Sequence, residues 1–558
     1  MEALRYPLFL GNQYYTNLDI LEFTIIGLWV AYRILSFPET ERWRNPPLGL
    51  TIAVGLWLAS LWVSTLLAPL YRDQAFAFDG RVLRGVVLAR ITFDLTHSSQ
   101  RWKTVIRCMA LGGLVVYAFG LGESARIPAI LDLLQNLRGA SIYAGELLRL
   151  SSTLSYPNIA AIIIEITLFL VLAWAVATPQ RWLRILLAIA GLAGFVALVL
   201  TYSRGGLIAF VVSLLVILGV MLYTYRRRTD RRTIIDGSLA VLASLVVVIG
   251  LLMLSNPTLA LRFITPDDQA WYQVTYSAQD QVTGRPGETL TIPVTLTNTS
   301  LRSWQANGSQ PIHLSYHLLR LYPDIRMGLQ YEGERTALPN DVPAGQSITV
   351  PATVMTPAQD GDYLIEWDMV QEKVAWFSVK SGTMATTQLS LSGDPITNTY
   401  FQPDPFNDVP PQLSPNRLTL WRIGLQLFQM HPWFGVGPDN YRRTYGPYLS
   451  VARWSTDIHA NNMYIESLAD TGIIGLTAFL FMSILFARTA WRGLKLHRGD
   501  PLWIWQLALI GGLCAWYIHG FVDYFYEFTP DSTAFWLLVG LVVSAAVPFR
   551  NPFEKTVE

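Results

Sequence analysis

Two short stretches near the C-terminal end hold the residues best suited to chemistry. His431-Pro432-Trp433-Phe434-Gly435-Val436-Gly437-Pro438-Asp439-Asn440-Tyr441 joins a glycine turn to carboxylate and amide side chains. Ile458-His459-Ala460-Asn461-Asn462-Met463-Tyr464-Ile465-Glu466 follows, closed by Thr471-Gly472-Ile473-Ile474-Gly475. Histidine titrates near neutral pH and is the side chain most often used to take a proton from an attacking hydroxyl. On a helix starting near residue 459, His459, Asn462 and Glu466 stand at i, i+3 and i+7 and share a face. The cluster leads into an apolar run, where ionisable groups are costly unless they do chemistry or line a wet cavity. A lone histidine is commonly structural, but the two asparagines beside this one favour an active site.

Other polar groups stand at the ends of apolar runs. In Thr201-Tyr202-Ser203-Arg204-Gly205-Gly206, the glycines Gly205 and Gly206 let the backbone approach a ligand, and Arg204 offers a fork for phosphate. The plainer alternative is an arginine snorkelling to lipid headgroups. Arg149-Leu150-Ser151-Ser152-Thr153-Leu154-Ser155-Tyr156-Pro157-Asn158 supplies Ser203 and Arg204 with a second cation, Arg149, although Pro157-Asn158 also reads as a helix start. In the 431–441 stretch, Gly435 and Gly437 allow unusual backbone angles, while Asp439, Asn440, Arg442 and Arg443 give polar reach. A turn without chemistry would use the same glycines. His519, beside Gly520 and Asp523, either completes a site or caps its helix.

The elements that must position these residues are membrane helices. Of 558 residues, 52% are hydrophobic and only 15% charged, against about 25% charged in soluble domains. Apolar runs occur at about 20–36, 48–70, 76–96, 104–122, 158–178, 183–202, 205–225, 236–254, 463–488, 502–523 and 532–549. The third is interrupted by Arg81, Arg84 and Arg90. Basic runs at 225–232 and 488–498 belong on the cytoplasmic side, which places 255–460 outside. No cleavable signal peptide is expected in the first 20 residues. Cys108 and Cys514 lie in apolar runs, which argues against a disulfide framework. The net charge of +1 gives no reason to expect nucleic acid. No nucleotide loop, metal-ligand spacing or serine nucleophile elbow is present.

The outer stretch contains a different kind of domain. Leu290, Ile292, Val294 and Leu296 alternate with Thr291, Pro293, Thr295 and Thr297, and Ile348 to Val354 repeats the pattern. Tyr363–Asp368 and Val374–Val379 read as further strands. The organisation expected is a transmembrane bundle over 1–254, an antiparallel β-sandwich over 268–393 and a Pro-rich linker over 394–415. An outer catalytic loop with an amphipathic helix follows over 416–462, then further transmembrane helices over 463–558. Trp304, Trp367 and Trp376 are either core aromatics or sugar-stacking surfaces.

Taken together, Arg149–Asn158, Ser203–Gly206, His431–Tyr441 and His459–Gly475 resemble the O-antigen ligase/polymerase family of bacterial membrane glycosyltransferases. The resemblance implies a mainly α, polytopic bundle of about 11–12 spans, to which this chain adds the β-sandwich. It implies transfer of a glycan from an undecaprenyl-diphosphate carrier to a glycan, lipid or protein hydroxyl, in the cytoplasmic membrane with the site facing outward. No cofactor or metal is implied. Counting back from Gly472 and Gly475, the family's usual histidine position is Asn461, so the base role passes to His459 by inference. His459 and Arg204 become the expected catalytic pair. Arg149, Asn158, Ser203, Asp439, Asn440, Arg442, Asn461, Asn462 and His519 become expected substrate contacts, and Gly205, Gly206, Gly435, Gly437, Gly472 and Gly475 turn formers. A polymerase and a protein O-oligosaccharyltransferase are the alternatives within that chemistry. A glycan-binding scaffold and a lipid-linked glycan transporter are more remote; a transporter should place more charges at mid-membrane than Glu165 and the third run.

Overall fold

The computed structural model describes residues 16–35, 44–139, 141–144, 147–224, 228–255, 260–262, 265, 269–322, 326–396, 415–449, 454–526 and 528–549. Most of the expected linker at 394–415, and Arg226 and Arg227 of the basic run, lie outside the described residues. The N-terminal helices are α1 Asn17–Leu35, α2 Leu48–Leu67, α3 Arg72–Leu95, α4 Ser99–Ser124, α5 Pro128–Arg138, α6 Pro157–Ala177, α7 Arg181–Leu200, α8 Arg204–Thr224 and α9 Arg228–Ser255. After them come α10 Phe377–Ser381, α11 Arg417–Met430, α12 Tyr441–Thr444, α13 Met463–Leu496, α14 Leu502–His519 and α15 Thr529–Ala545. All eleven apolar runs fall on helices, and seven of these (α2, α4, α6, α7, α8, α13 and α14) are long and apolar enough to cross a membrane. The chain is a multi-pass membrane protein.

Burial sorts the helices. In the most apolar stretch of each candidate span, 78% of α6 and 72% of α14 is buried, against 33–39% for the other five. A helix apolar on all sides belongs in the centre of a bundle, and these two form that centre. Their close approach depends on Gly511, where a Cβ would stand 2.7 Å from the Phe169 ring of α6. The charges interrupting α3 are paired: Arg84 meets Asp19 of α1 at 2.5 Å and Glu22 at 3.5 Å, and Arg90 meets Asp94 at 2.9 Å. Pairing is what lets ionisable side chains sit within such a bundle.

The β region begins after α9. A small hairpin, β1 Ile142–Ala144 and β2 Leu147–Arg149, comes earlier in the chain. The larger set is β3 Val274–Ser277, β4 Gln281–Gly284, β5 Thr289–Asn298, β6 Ile312–Leu321, β7 Arg326–Gln330, β8 Thr336–Ala337, β9 Ser347–Met355, β10 Gly361–Gln371, β11 Ala375–Trp376 and β12 Ala385–Leu391. One sheet runs β4-β12-β10-β6-β7, with β8 on β6 and β11 on β10, and the other runs β3-β5-β9. Pairing is antiparallel except between β4 and β12. The alternating residues face inward, with Ile292 opposite Ala352 and Val294 opposite Val350. Trp304 and Trp367 are fully buried and Trp376 nearly so, which makes them core aromatics. The strand expected over 374–379 stops after two residues. There Ser378 N donates to Asp368 Oδ1 at 3.0 Å and the chain turns into α10.

The β core is separate from the helical core. Trp367→Ala should therefore cost about 3–5 kcal/mol within the β region alone. Limited proteolysis is expected to cut within 274–391 while the helical circular-dichroism signal of the bundle persists.

Candidate active site at one end of the bundle

The site is built around a break in α13. At Gly472 the backbone leaves helical geometry (φ 64°, ψ −169°), so main-chain groups lose their helical partners. The 432–437 loop replaces them. Val436 N donates to Ala469 O at 3.0 Å and Gly437 N to Asp470 O at 2.8 Å, while Ile473 N donates to Pro432 O at 2.9 Å. The Asp470 carboxylate accepts from Asp439 N at 2.9 Å and Tyr441 N at 2.7 Å. Ser64 of α2 donates to Phe434 O and Asp470 O at 2.6 and 3.0 Å. At this joint two backbones touch. A Cβ on Gly435 would lie 2.3 Å from Asp470 O, and one on Gly472 would lie 2.3 Å from Trp433 C. Gly437 also has positive φ, and Gly475 lies one turn beyond the break, against Thr471.

The polar side chains of this loop are largely used within it. Asp439 takes a bidentate pair from Arg442 at 2.8 and 2.9 Å, plus Arg443 at 3.2 Å and Arg81 of α3 at 3.4 Å. Arg442 also donates to Thr456 O at 2.7 Å. Asn440 donates to Leu70 O and Val436 O, both at 3.0 Å. Burial alone would raise the Asp439 carboxyl, but Arg442 and Arg81, with the Arg442 hydrogen bonds and nearby His459, outweigh it and hold it at about 2. These bonds give Asp439, Asn440 and Arg442 a part in shaping the loop.

His459 is buried, and its Nδ1 lies 2.5 Å from Glu466 Oε1. The other Glu466 oxygen accepts from Ala460 N at 2.8 Å. The shared helix face expected for His459, Asn462 and Glu466 does not exist, because α13 starts only at Met463. Asn462 is its cap, accepting from Tyr464 N and Ile465 N at 3.0 Å each. His459 precedes the helix, and the chain folds it back onto Glu466. Asn461 makes this turn at φ 50°, a region asparagine tolerates better than most residues. The His459 ring stacks on Tyr524, centroids 4.5 Å apart.

Tyr524 links this half to the N-terminal motifs. Its backbone N donates to Asp523 Oδ1 at 2.9 Å, and Asn158 Nδ2 donates to Asp523 Oδ2 at 2.5 Å. Arg149 completes the chain, donating to Asn158 Oδ1 at 2.9 Å and Thr201 O at 3.1 Å. Ser203 Oγ is 3.4 Å from His519 Nε2, while His519 Nδ1 stands 2.9 Å from Glu165 Oε1 without hydrogen-bond alignment. Gly205 and Gly206 leave room for these groups: a Cβ would meet His519 at 3.0 Å in the first case and Glu165 at 2.7 Å in the second. Arg204 Nη1 donates to Thr265 O.

Two participants escape the sequence reading. Arg417, the first residue of α11, is exposed and has no hydrogen bond or ion pair among the described residues, yet its charge acts on both Asp523 and His519. The Asn416 cap marks the helix start, but nothing in the sequence ties Arg417 to residues a hundred positions away. Glu123, at the end of α4, accepts from Ser151 N at 3.0 Å, Ser152 N at 2.8 Å and Arg138, which fixes the loop carrying Arg149.

Residues 372–480, a span containing Arg417, the glycine joint, His459 and Glu466, match the family model described as O-antigen ligase. That match supports an O-antigen ligase family assignment over this segment, about a fifth of the chain. The matched segment holds one half of the polar cluster, and Arg149, Asn158, His519 and Asp523 come from outside it. None of the curated proteins matches the chain. Among solved structures, the ASH/PapD-like domain of human CEP192 (PapD-like domain 7) is 14% identical, covering 23% of this chain and 89% of that one, with a TM-score of 0.13. A likeness of that size carries no argument.

Two outcomes follow from the joint. Gly435→Ala forces a methyl into the Asp470 backbone, and destabilisation of several kcal/mol is expected as a lowered unfolding midpoint. Asp439 titrates below its unfolded value of about 3.9, so its stabilising effect is complete above about pH 4 and lost as pH falls toward 2. Pepsin should therefore reach the 431–449 loop progressively over that window, and Asp439→Asn should loosen it already at neutral pH.

Proposed function

We propose that the chain transfers a glycan from a polyprenyl-diphosphate carrier such as undecaprenyl diphosphate to an acceptor hydroxyl. The reaction takes place on the outer face of the cytoplasmic membrane. The observation that carries this reading is the buried His459–Glu466 pair, Nδ1 to Oε1 2.5 Å, at the same end of the bundle as Asp523, on which the Arg417 cation acts electrostatically. Glu466 sets the imidazole orientation and stabilises its protonated form, as a carboxylate does in hydrolytic triads. His459 takes the proton of the acceptor hydroxyl. The acceptor oxygen bonds to the anomeric carbon, and the bond from that carbon to the diphosphate oxygen breaks. The electron pair leaves on the lipid diphosphate, where the Arg417 and Arg149 charges stabilise it. Attack in one step inverts the anomeric centre.

This assignment keeps His459 as base. It adds Arg417 to the cations and keeps Arg204, one N–H of which goes to the Thr265 carbonyl, as a further candidate. Residues 416–462 act as the outer catalytic loop, and the acceptor is a lipid-linked core, a glycan repeat or a protein hydroxyl.

The test is transfer by membranes carrying single variants, with lipid-linked donor quantified alongside. His459→Ala and Glu466→Gln should slow transfer by about a hundredfold or more while donor accumulates. Arg417→Ala should lose more than Arg417→Lys. Wild-type transfer by both His459→Ala and Arg417→Ala would refute the site. Glycan profiling of a deletion strain separates the acceptors: unattached long chains mark a ligase, single unextended repeats a polymerase.

A further inference from the structure

The opposite end of the bundle holds a second, unrelated recess. Helices α8 and α13 start at the site and α14 ends there, so the far ends of α8 and α13 and the start of α14 meet roughly 30 Å away, about one hydrocarbon thickness. At that meeting point lies a cleft of about 380 Å³ lined by Tyr223, Trp491, Lys495, Arg498 and Trp503. Its walls are aromatic: Tyr223 packs on Trp491 with centroids 5.8 Å apart, and Trp503 is buried. Its rim is cationic. Lys495 and Arg498 are exposed, and the Lys495 ammonium stands 5.9 Å from the Trp491 ring. Arg498 spends one N–H on Thr224 O at 2.8 Å, which anchors it between helices and leaves further donors of its fork. Among the described residues, no acidic side chain lines the cleft.

We infer that this cleft binds the phosphodiester headgroup of an anionic phospholipid. Aromatic rings and cations at the end of a membrane helix are the combination that suits a headgroup. Tails have a place to lie as well: on α8, Ile208, Val212, Leu215 and Val216 are all exposed and apolar, and they lead back from the cleft toward the site end. A free anion would use the cations but not that stripe.

The experiment uses the full chain in detergent, titrated with phosphatidylglycerol or phosphatidylcholine bearing brominated acyl chains, with tryptophan quenching as the readout. Phosphatidylglycerol should quench saturably at lower concentration than phosphatidylcholine. Lys495→Gln and Arg498→Gln should each weaken it about fivefold and leave phosphatidylcholine unchanged. Inorganic phosphate at millimolar concentration should not compete. Equal binding of the two lipids by the wild type, unchanged phosphatidylglycerol binding by both Lys495→Gln and Arg498→Gln, or full displacement by phosphate would each overturn the proposal. The wild-type comparison does not depend on how the variants fold, and none of these results bears on His459.

Discussion

A membrane helix cannot be interrupted without finding partners for the backbone groups the interruption releases. In α13 that requirement falls at Gly472, and the loop from Pro432 to Gly437 meets it from both sides. Much of the site follows from this joint. It sets where the two segments of α13 meet and where Asp470 can reach the 439–441 backbone. It also fixes the short helical segment that carries Glu466. Moving the loop would orphan at least three main-chain hydrogen bonds at once, so this end of the bundle is held by backbone chemistry as well as by side-chain packing.

The same device recurs at smaller scale. Three buried carboxylates each hold a loop by accepting backbone N–H bonds: Glu123 from Ser151 and Ser152, Asp470 from Asp439 and Tyr441, and Glu466 from Ala460. Each accepted N–H ties a turn to a buried carboxyl group and gives a backbone donor its partner. Loops carrying Arg149, Arg442 and His459 are thereby pre-positioned before any substrate arrives. Such positioning is what the proposed transfer reaction would need.

Much of this architecture is legible in the sequence because it depends on local pattern. Apolar runs of sufficient length became helices, and the alternation at 290–296 and 348–354 became paired strands in register. The two glycine motifs were also visible, but as separate turns. That Gly435 and Gly472 are two sides of one contact is a tertiary fact that spacing does not encode. The His459–Glu466 contact was reached for a wrong reason, since a helical face was assumed where the chain instead turns at Asn461. The Thr265 carbonyl that accepts from Arg204 is likewise a contact the sequence cannot show.

Arg417 is the sharpest case of a local preference overridden. A cation on the first residue of a helix opposes the macrodipole, a penalty of about 0.3–1 kcal/mol, and Asp or Glu would be favoured there. Among the described residues no carboxylate pairs with it directly, so the penalty is not repaid by an ion pair. The helix itself is well fixed: Asn416 caps it, and Leu420, Ile423 and Leu427 bury one face against the joint. The guanidinium is thus held on a rigid element, against local preference, within electrostatic reach of Asp523 and His519. Departures from local consistency concentrate where function sets the residue. A diphosphate in the space beside Arg417 would supply the missing negative charge, which makes substrate binding and relief of that unfavourable placement the same event.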